Sequence, residues 1–480
     1  MNTLKMKTVR GLLALVLGAP LAQAQTADLP NKLDALMQEY VSKRLFSGVV
    51  LLAKEDKVLY HKAFGLADRE RGIAARPETN FSIASVGKPF TATMVMRLVQ
   101  AGKLDIRRTV NDYLPEWKVP AGDRITLEQL LTHTGATGNY MLHPDYEELT
   151  GKRQSIEAVM PLVVSRIRPD AERGTKFQYS NSGYILLGKI CEKVTGRSYP
   201  ELLSELIYQP AGMTNSYLQP KGLPADLEAL PYQTFTEKAY KAIPVGHDPA
   251  LPDGGMYSNA RDLWRFARWV QTQLPADLRE TMWTPRSQRS KTAQYGYGWT
   301  ISQFQNKTAI SHDGGGNGAS AELRLIPEDG YTVVVLINRR LDPKEIARQI
   351  LQVAYTGQAE PVQKEFLTAF LEDIERHGLP AVGDRLPAIA QDGYGTKPRP
   401  GDYIDVFNAL NDLGRHQQAL DLASKLEPLY PGQAWLFEGI GDAYLGLKDR
   451  QKAREAFEKA LQLDPNNFWA KAMLDKMALK

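Results

Sequence analysis

A single cysteine, Cys191, stands among 480 residues, so the chain can close no intramolecular disulfide and build no multi-thiolate zinc site. A strong excess of one charge is missing too: Lys and Arg number 59 against 55 Asp and Glu, a formal net charge of +4. Three of those positives, Lys5, Lys7 and Arg10, precede an apolar run from Gly11 to Ala19 and the small-residue stretch Ala22-Gln23-Ala24. That order predicts a secretory signal peptide cut after Ala24. The run is too short to span a bilayer, and no membrane span is expected after cleavage. Without the leader, 456 residues remain (480 less 24) at a net charge of +1 (four less three). Nucleic acid is excluded as a partner, because neutralising phosphates takes a clustered positive excess. The residue directly after the cleavage site is Gln25 and not a cysteine, so a periplasmic or secreted protein without a lipid anchor is expected.

The remaining composition, 43% hydrophobic and 24% charged, is that of a folded protein of more than one domain. From Asp28 to Gly357 β-rich and helical stretches mix. SGVVLLA and KVLYHKAFG, around Lys54-Glu55-Asp56, read as a hairpin, and so do AELRLI and YTVVVLIN around Pro327-Glu328-Asp329-Gly330. Helical patterns lie between them, at Pro89 to Ala101, Leu127 to Thr132, Ser182 to Val194 and Ala260 to Gln273, and Lys344 to Tyr355 follows. This predicts an α/β (α+β) domain over 25–357: an antiparallel sheet joining the first and last strands, flanked by helices, with a helical insertion.

Residues 358–400 read as a linker with one amphipathic helix, Phe366 to Ile374, followed by a stretch rich in Pro and Gly from Leu379 to Pro400. Over 401–480 a period of 34 emerges. Phe437, Ile440, Gly441, Tyr444, Ala453, Phe457, Ala460 and Pro465 resemble a tetratricopeptide repeat. An earlier, looser copy runs from Tyr403 to Pro431, with Phe407 where a small residue is usual, and Phe468 to Leu479 supplies a cap. About two repeats and a capping helix are fewer than usually stand alone, so the tail is expected to dock on the preceding domain or to gain the Phe366 helix as a further layer. Such repeats also suit a protein partner.

Ser85-Val86-Gly87-Lys88 opens a helical run, where residues three apart share a face. A serine hydroxyl needs a neighbouring base to become a nucleophile, and Lys88 is placed to serve Ser85. Tyr-x-Asn occurs twice, as Tyr179-Ser180-Asn181 and Tyr257-Ser258-Asn259. The first is assigned to chemistry, and in the second Ser258 or Asn259 is expected to cap a helix. His-x-Gly also occurs twice: His312-Asp313-Gly314 enters a strand beside Gly315, whereas His133-Thr134-Gly135 reads as a packed helix end with a satisfied histidine. Gly-x-Ser-x-Gly and His-Glu-x-x-His are absent, which removes the α/β-hydrolase and zincin readings. Cys191 reads as a buried structural thiol, His61 and His247-Asp248 have no partners at metal spacing, and no cofactor is expected.

Ser85-x-x-Lys88, Tyr179-x-Asn181 and His312-x-Gly314, in that order and with flanks such as NFSIASVGKPFTA and FQYSNSGYILLGKI, resemble the serine β-lactamase and penicillin-binding hydrolases. The likeness is to the branch holding class C β-lactamases, D-amino-acid peptidases and esterases, and spans Leu33 to Tyr355. It implies Ser85 as acylated nucleophile, Lys88 and Tyr179 as general base and acid, and Asn181 as a substrate-orienting group. It also implies His312 on the opposite wall and an oxyanion hole made by the amides of Ser85 and Gly315. Where many relatives have Lys-Thr-Gly, this chain has histidine. A neutral imidazole holds a substrate carboxylate poorly, so esters, amides and D-amino-acid peptides with other termini become the expected substrates, ahead of β-lactams and D-Ala-terminated cell-wall peptides. A catalytically inactive penicillin-recognising sensor, with the repeats as its output, is the reading from another class.

Overall fold

A computed structural model describes residues 28–152, 154–167, 173–218, 223–224, 226–234, 236, 239–394, 397–465 and 467–478. The expected signal peptide lies outside them. Eight strands form one antiparallel sheet: β1 Gly48–Lys54, β2 Lys57–Phe64, β3 Ser287–Gln288, β4 Ala293–Tyr295, β5 Thr300–Phe304, β6 Lys307–Gly316, β7 Ala319–Ile326 and β8 Tyr331–Ile337, in the order β2-β1-β8-β7-β6-β5-β4-β3. Both expected hairpins are present, and β1 pairs with β8 from Gly48↔Ile337 to Lys54↔Tyr331, so the first and last strands meet one strand in from the β2 edge.

The unbroken apolar runs of these central strands follow from burial on both faces. Val49, Leu51, Val334 and Leu336 face the large core beneath the helical insertion. Val50, Leu52, Val333 and Val335 face helix α1 (Leu29–Ser42), through Leu33 and Met37, and helix α5 (Pro343–Thr356), through Ile346 and Ile350. In the insertion, helix α2 (Lys88–Gln100) is buried nearly all round and packs on α3 (Asn181–Thr195). Its sequence KPFTATMVMRLVQ is accordingly apolar without one clean stripe. Helix α4 (Ala260–Thr272) crosses beneath β1 and β8. No helix of the described residues is long and apolar enough to cross a membrane.

The tail departs from the expected linker. Two helices follow α5: α6 (Phe366–His377) and α7 (Leu379–Asp392), the latter lying in the stretch read from its prolines and glycines as irregular. Pro380 sits in the first turn, where its missing N–H costs nothing, and Leu379, Val382, Leu386 and Ile389 are buried at helical spacing. Helices α8 (Pro400–Asp412), α9 (His416–Leu426), α10 (Ala434–Gly446), α11 (Arg450–Leu463) and α12 (Phe468–Ala478) complete the tail. The α6–α7 pair joins the core of α8 and α9, giving the repeats the extra layer they need. Phe407, too large for its repeat position, is accommodated because Gly439 faces it: a Cβ there would lie 2.7 Å from the ring.

The tail docks on the preceding domain. Ala239 enters the tail's core, Thr236 Oγ1 donates to Glu375 at 2.7 Å, and Gln233 donates to Asp412. At the far end Lys476 of α12 pairs with Glu147 at 3.3 Å.

Candidate active site

Ser85 sits in a tight 3-10 turn, Ala84–Gly87, that runs directly into α2. Ala84 is held at φ +44°, a backbone strain immediately before the serine. Lys88, one turn along, is fully buried. Its Nζ donates to Ser85 Oγ at 3.0 Å, to Asn181 Oδ1 at 2.8 Å and to the Asp253 carbonyl at 2.6 Å. Three polar partners surround this nitrogen, which is what allows a lysine head group to lie in the core. The ring of Tyr179 has its centroid 4.9 Å from the same nitrogen, yet the residue is 38% exposed, so it bridges the buried amine and the open cleft.

Ser180 explains why Asn181 reaches Lys88. The Ser180 hydroxyl caps α3 by accepting from Gly183 N at 3.1 Å, which leaves the Asn181 amide free of capping and turned to Lys88. Opposite Ser85 runs β6. A Cβ on Gly314 would come within 2.2 Å of the Ile83 carbonyl oxygen and 3.1 Å of Ser85 N, so only glycine lets the strand pass against the turn. Next to it, Gly315 has no atom within 4 Å of where a Cβ would stand.

His312 is placed differently from the expectation. Its ring does not line the cleft: it is fully buried, with Nε2 bonded to Tyr295 Oη at 2.9 Å and Nδ1 to the Asp313 carbonyl at 2.6 Å. Burial pushes its pKa down to about 3, against the pull of Asp313, so the ring is neutral near pH 7. Strand alternation is the reason, because His312 shares a face with Gly314 and that face is packed against the insertion. Asp313 is paired with Arg289 at 2.8 Å and, despite its burial, is held well below the usual carboxylate range by that guanidinium.

Two further residues join the site. His133, with φ +57°, is buried beside it: its ring centroid lies 4.3 Å from that of Tyr179 and 4.8 Å from that of Tyr295. Nδ1 accepts from Ser180 N at 3.1 Å while Nε2 has no partner, so the satisfied helix-end histidine expected here is only half satisfied, and it packs the wall behind Tyr179. Asp253 gives its carbonyl to Lys88, and its buried carboxyl meets Tyr140 Oη at 3.3 Å. Burial lifts that carboxyl to about 6, with Lys88 opposing. The doubled His-x-Gly was a sequence signal for His133; a lone Asp in Pro252-Asp253-Gly254 gave none for a backbone contact.

With Ser85, Lys88, Tyr179, Asn181, Gly314 and Gly315 drawn to one cleft, likeness to known proteins can be weighed. The Beta-lactamase family profile matches residues 33–357. The chain belongs to the beta-lactamase family. A Tetratricopeptide repeat profile matches residues 434–467, within the tail. Penicillin-binding protein 4* of Bacillus subtilis (strain 168) is 29% identical over 342 residues, which cover 67% of this chain and 74% of that protein. Among solved structures, the octameric penicillin-binding protein homologue from Pyrococcus abyssi superposes with a TM-score of 0.61 at 25% identity, over 72% of this chain and 81% of that one. The penicillin binding protein from Bacillus halodurans gives 0.58 at 26% identity, over 68% and 99%. The beta-lactamase-like fold and the serine hydrolase character of the family therefore hold for this chain.

Proposed function

We propose that the protein is an exported serine hydrolase working through a Ser85 acyl-enzyme on an ester, amide or D-amino-acid peptide bond. The observation that carries the reading is the buried Lys88 amine nitrogen, bonded at once to Ser85 Oγ and Asn181 Oδ1 beneath the half-exposed Tyr179. With the Lys88 and Tyr179 pair one proton short, as neutral amine or as phenolate, it takes the Ser85 Oγ proton as Oγ attacks the substrate carbonyl and gives it to the leaving alkoxide or amine. The oxyanion is met by backbone N–H groups of Ser85 and Gly315, beside a cleft that stays open at Gly315. Water then takes the acyl group from Ser85, with the same pair removing its proton. Asn181 orients the substrate amide or ester, and Gly314 lets β6 lie close.

Substrate preference follows from the third motif. The buried, neutral His312 offers no cation, and the Arg289 charge near it is already held by Asp313. A substrate carboxylate gains little there, which favours esters, amides and blocked or extended D-peptides over β-lactams and D-Ala-terminated peptides.

Mature protein incubated with a fluorophosphonate, a nitrophenyl ester, a chromogenic cephalosporin and a D-Ala-D-Ala peptide, with mass and turnover followed, tests this. A label on Ser85 with ester turnover is the expected result. A wild type that takes no more label than Ser85→Ala would falsify the acyl-enzyme and favour the non-catalytic sensor. Faster turnover of the cephalosporin or the D-Ala-D-Ala peptide would overturn the substrate preference alone.

A further inference from the structure

From His312 to Gly316, strand β6 is paired along one edge only among the described residues. β7 takes that edge, from His312↔Leu323 to Gly316↔Ala319, whereas β5 follows the other no further than Ser311. The open stretch includes Gly315, the exposed glycine whose amide is assigned to the oxyanion. A substrate with its carbonyl oxygen on that amide extends along the edge in two directions. Toward His312 it meets a neutral ring and an arginine already held by Asp313. Toward Asn317 it meets a carboxylate, that of Asp248.

The position of Asp248 follows from the glycines of β6. A Cβ on Gly316 would lie 3.0 Å from Asp248 Oδ2 and 3.7 Å from Ala84 Cβ, and Gly314, on the same face, comes as close to Ser85 N as 3.1 Å. The carboxylate therefore stands on the Ser85 side of the strand, just past the oxyanion amide. It accepts from Asn317 N at 3.1 Å and from Asn317 Nδ2 at 2.7 Å. Two oxygens offer roughly four acceptor positions, so both bonds together leave room for another donor. No lysine, arginine or histidine among the described residues pairs with it. Its charge reaches the cleft wall: burial and then Asp248 push the Tyr146 phenol up, and Asp248 adds to the burial that lifts the Asp253 carboxyl, whose backbone carbonyl holds Lys88.

Resting on the acyl-enzyme reading above, we propose that the site selects aminoacyl substrates, esters or amides whose acyl group carries a free α-ammonium, and that Asp248 receives this ammonium. Strand rise is about 3.4 Å per residue, so Gly315 to Asn317 spans about 7 Å. The α-amine sits on the carbon next to the scissile carbonyl, and a charge-assisted bond of about 2.8 Å covers the rest of the way. An N-acylated substrate presents a neutral amide there and leaves the carboxylate without a cation. Hydrolysis by way of Ser85 then yields a free amino acid and the alcohol or amine.

Steady-state hydrolysis of alanine methyl ester and N-acetylalanine methyl ester by the full chain, with both enantiomers of each, tests this. In wild type, kcat/KM should favour the free amine for at least one enantiomer. Asp248→Asn, which removes the charge and still accepts from Asn317, should lower the ratio of the two kcat/KM values about ten- to a hundredfold, through KM more than kcat. The intrinsic reactivity and bulk of the two esters cancel in that comparison. Asn317→Ala is the companion variant: it releases the turn, keeps the carboxylate and should keep the ratio. The wild-type preference decides the substrate class whether or not either variant folds. Equal or faster hydrolysis of the N-acetyl ester by wild type, an unchanged ratio in Asp248→Asn, or an equal loss in Asn317→Ala would overturn the inference and leave the acyl-enzyme standing. Turnover of neither ester overturns it as well, and if Ser85 also takes no fluorophosphonate the acyl-enzyme reading falls with it.

Discussion

Tyr-Ser-Asn occurs twice in this chain, and the two copies fold into opposite roles through a one-residue difference in which side chain caps the following helix. At 179–181 the cap is Ser180, so Asn181 stands inside the helix with its amide on Lys88. At 257–259 the cap is Asn259, whose Oδ1 accepts from Asp262 N at 2.9 Å and is thereby used up. The tyrosines differ in the same sense. Tyr257 is 4% exposed, stacked on Tyr217, with its hydroxyl accepting from Gly246 N at 2.8 Å. Tyr179 is 38% exposed, with its ring 4.9 Å from the buried Lys88 nitrogen. A copy that serves structure has its polar atoms satisfied by the backbone, whereas a copy placed for chemistry leaves them for a substrate.

Removing the amine on which the first copy converges should have the largest effect. Lys88→Met keeps the length and apolar stem of the side chain, and acylation of Ser85 by a nitrophenyl ester should fall about 10²- to 10⁴-fold, the range for losing a positioned acid or base. Stopped-flow acylation is the measurement, and a fall of less than about tenfold would place the proton transfer elsewhere.

The tyrosines give the next contrast. Tyr179→Phe should cut acylation by about 10²-fold or more with little change in unfolding free energy. Tyr257→Phe orphans the Gly246 N–H and should cost about 1–3 kcal/mol of stability with turnover retained. Interchanged outcomes would reverse the assignment of the two copies. For the asparagines, Asn181→Ala should slow acylation about ten- to a hundredfold through the lost charge-assisted contact. Asn259→Ala should cost about 1 kcal/mol of stability, as a lost cap does, and leave the rate alone. Chemical denaturation alongside kinetics separates them.

Much of this was legible in the chain. The two hairpins, the helices after Ser85 and Asn181, the Asn259 cap and the 34-residue period all rest on local patterns, and each lies within a residue or two of its expected place. Helix α7 was not legible, because its prolines and glycines outweighed an apolar spacing that acquires meaning only when α8 and α9 bury it. The resemblance implies His312 as a wall of the cleft, and the sequence around it identifies the strand but not which face of it is packed. The Asp253 contact to Lys88 was invisible, since any residue's carbonyl can make it.

That last contact also shows that the segment carrying the second copy is not idle, and it yields the smallest and most specific effect. Asp253 lies four residues before Tyr257, and its carboxyl is raised from 3.8 to about 6 by burial, with Lys88 opposing. A carboxyl raised in the folded state stabilises the fold below its unfolded pKa, and that contribution is lost as pH climbs through the folded value. In wild type the loss should therefore develop between about pH 4 and pH 6 and hold above it. Asp253→Asn does not titrate, can still accept from Tyr140 and leaves the backbone carbonyl on Lys88 in place. Its stability relative to wild type should rise across that window, by at most about 3 kcal/mol for a shift of this size. Urea denaturation at pH 4, 5, 6 and 7 measures the difference, and a gap that stays constant with pH would show that this carboxyl is not the titrating group. If the acylation rate of wild type has an inflection near pH 6, the variant should lose it. Retention of that inflection would assign it to a group on the Tyr179 side of the cleft instead.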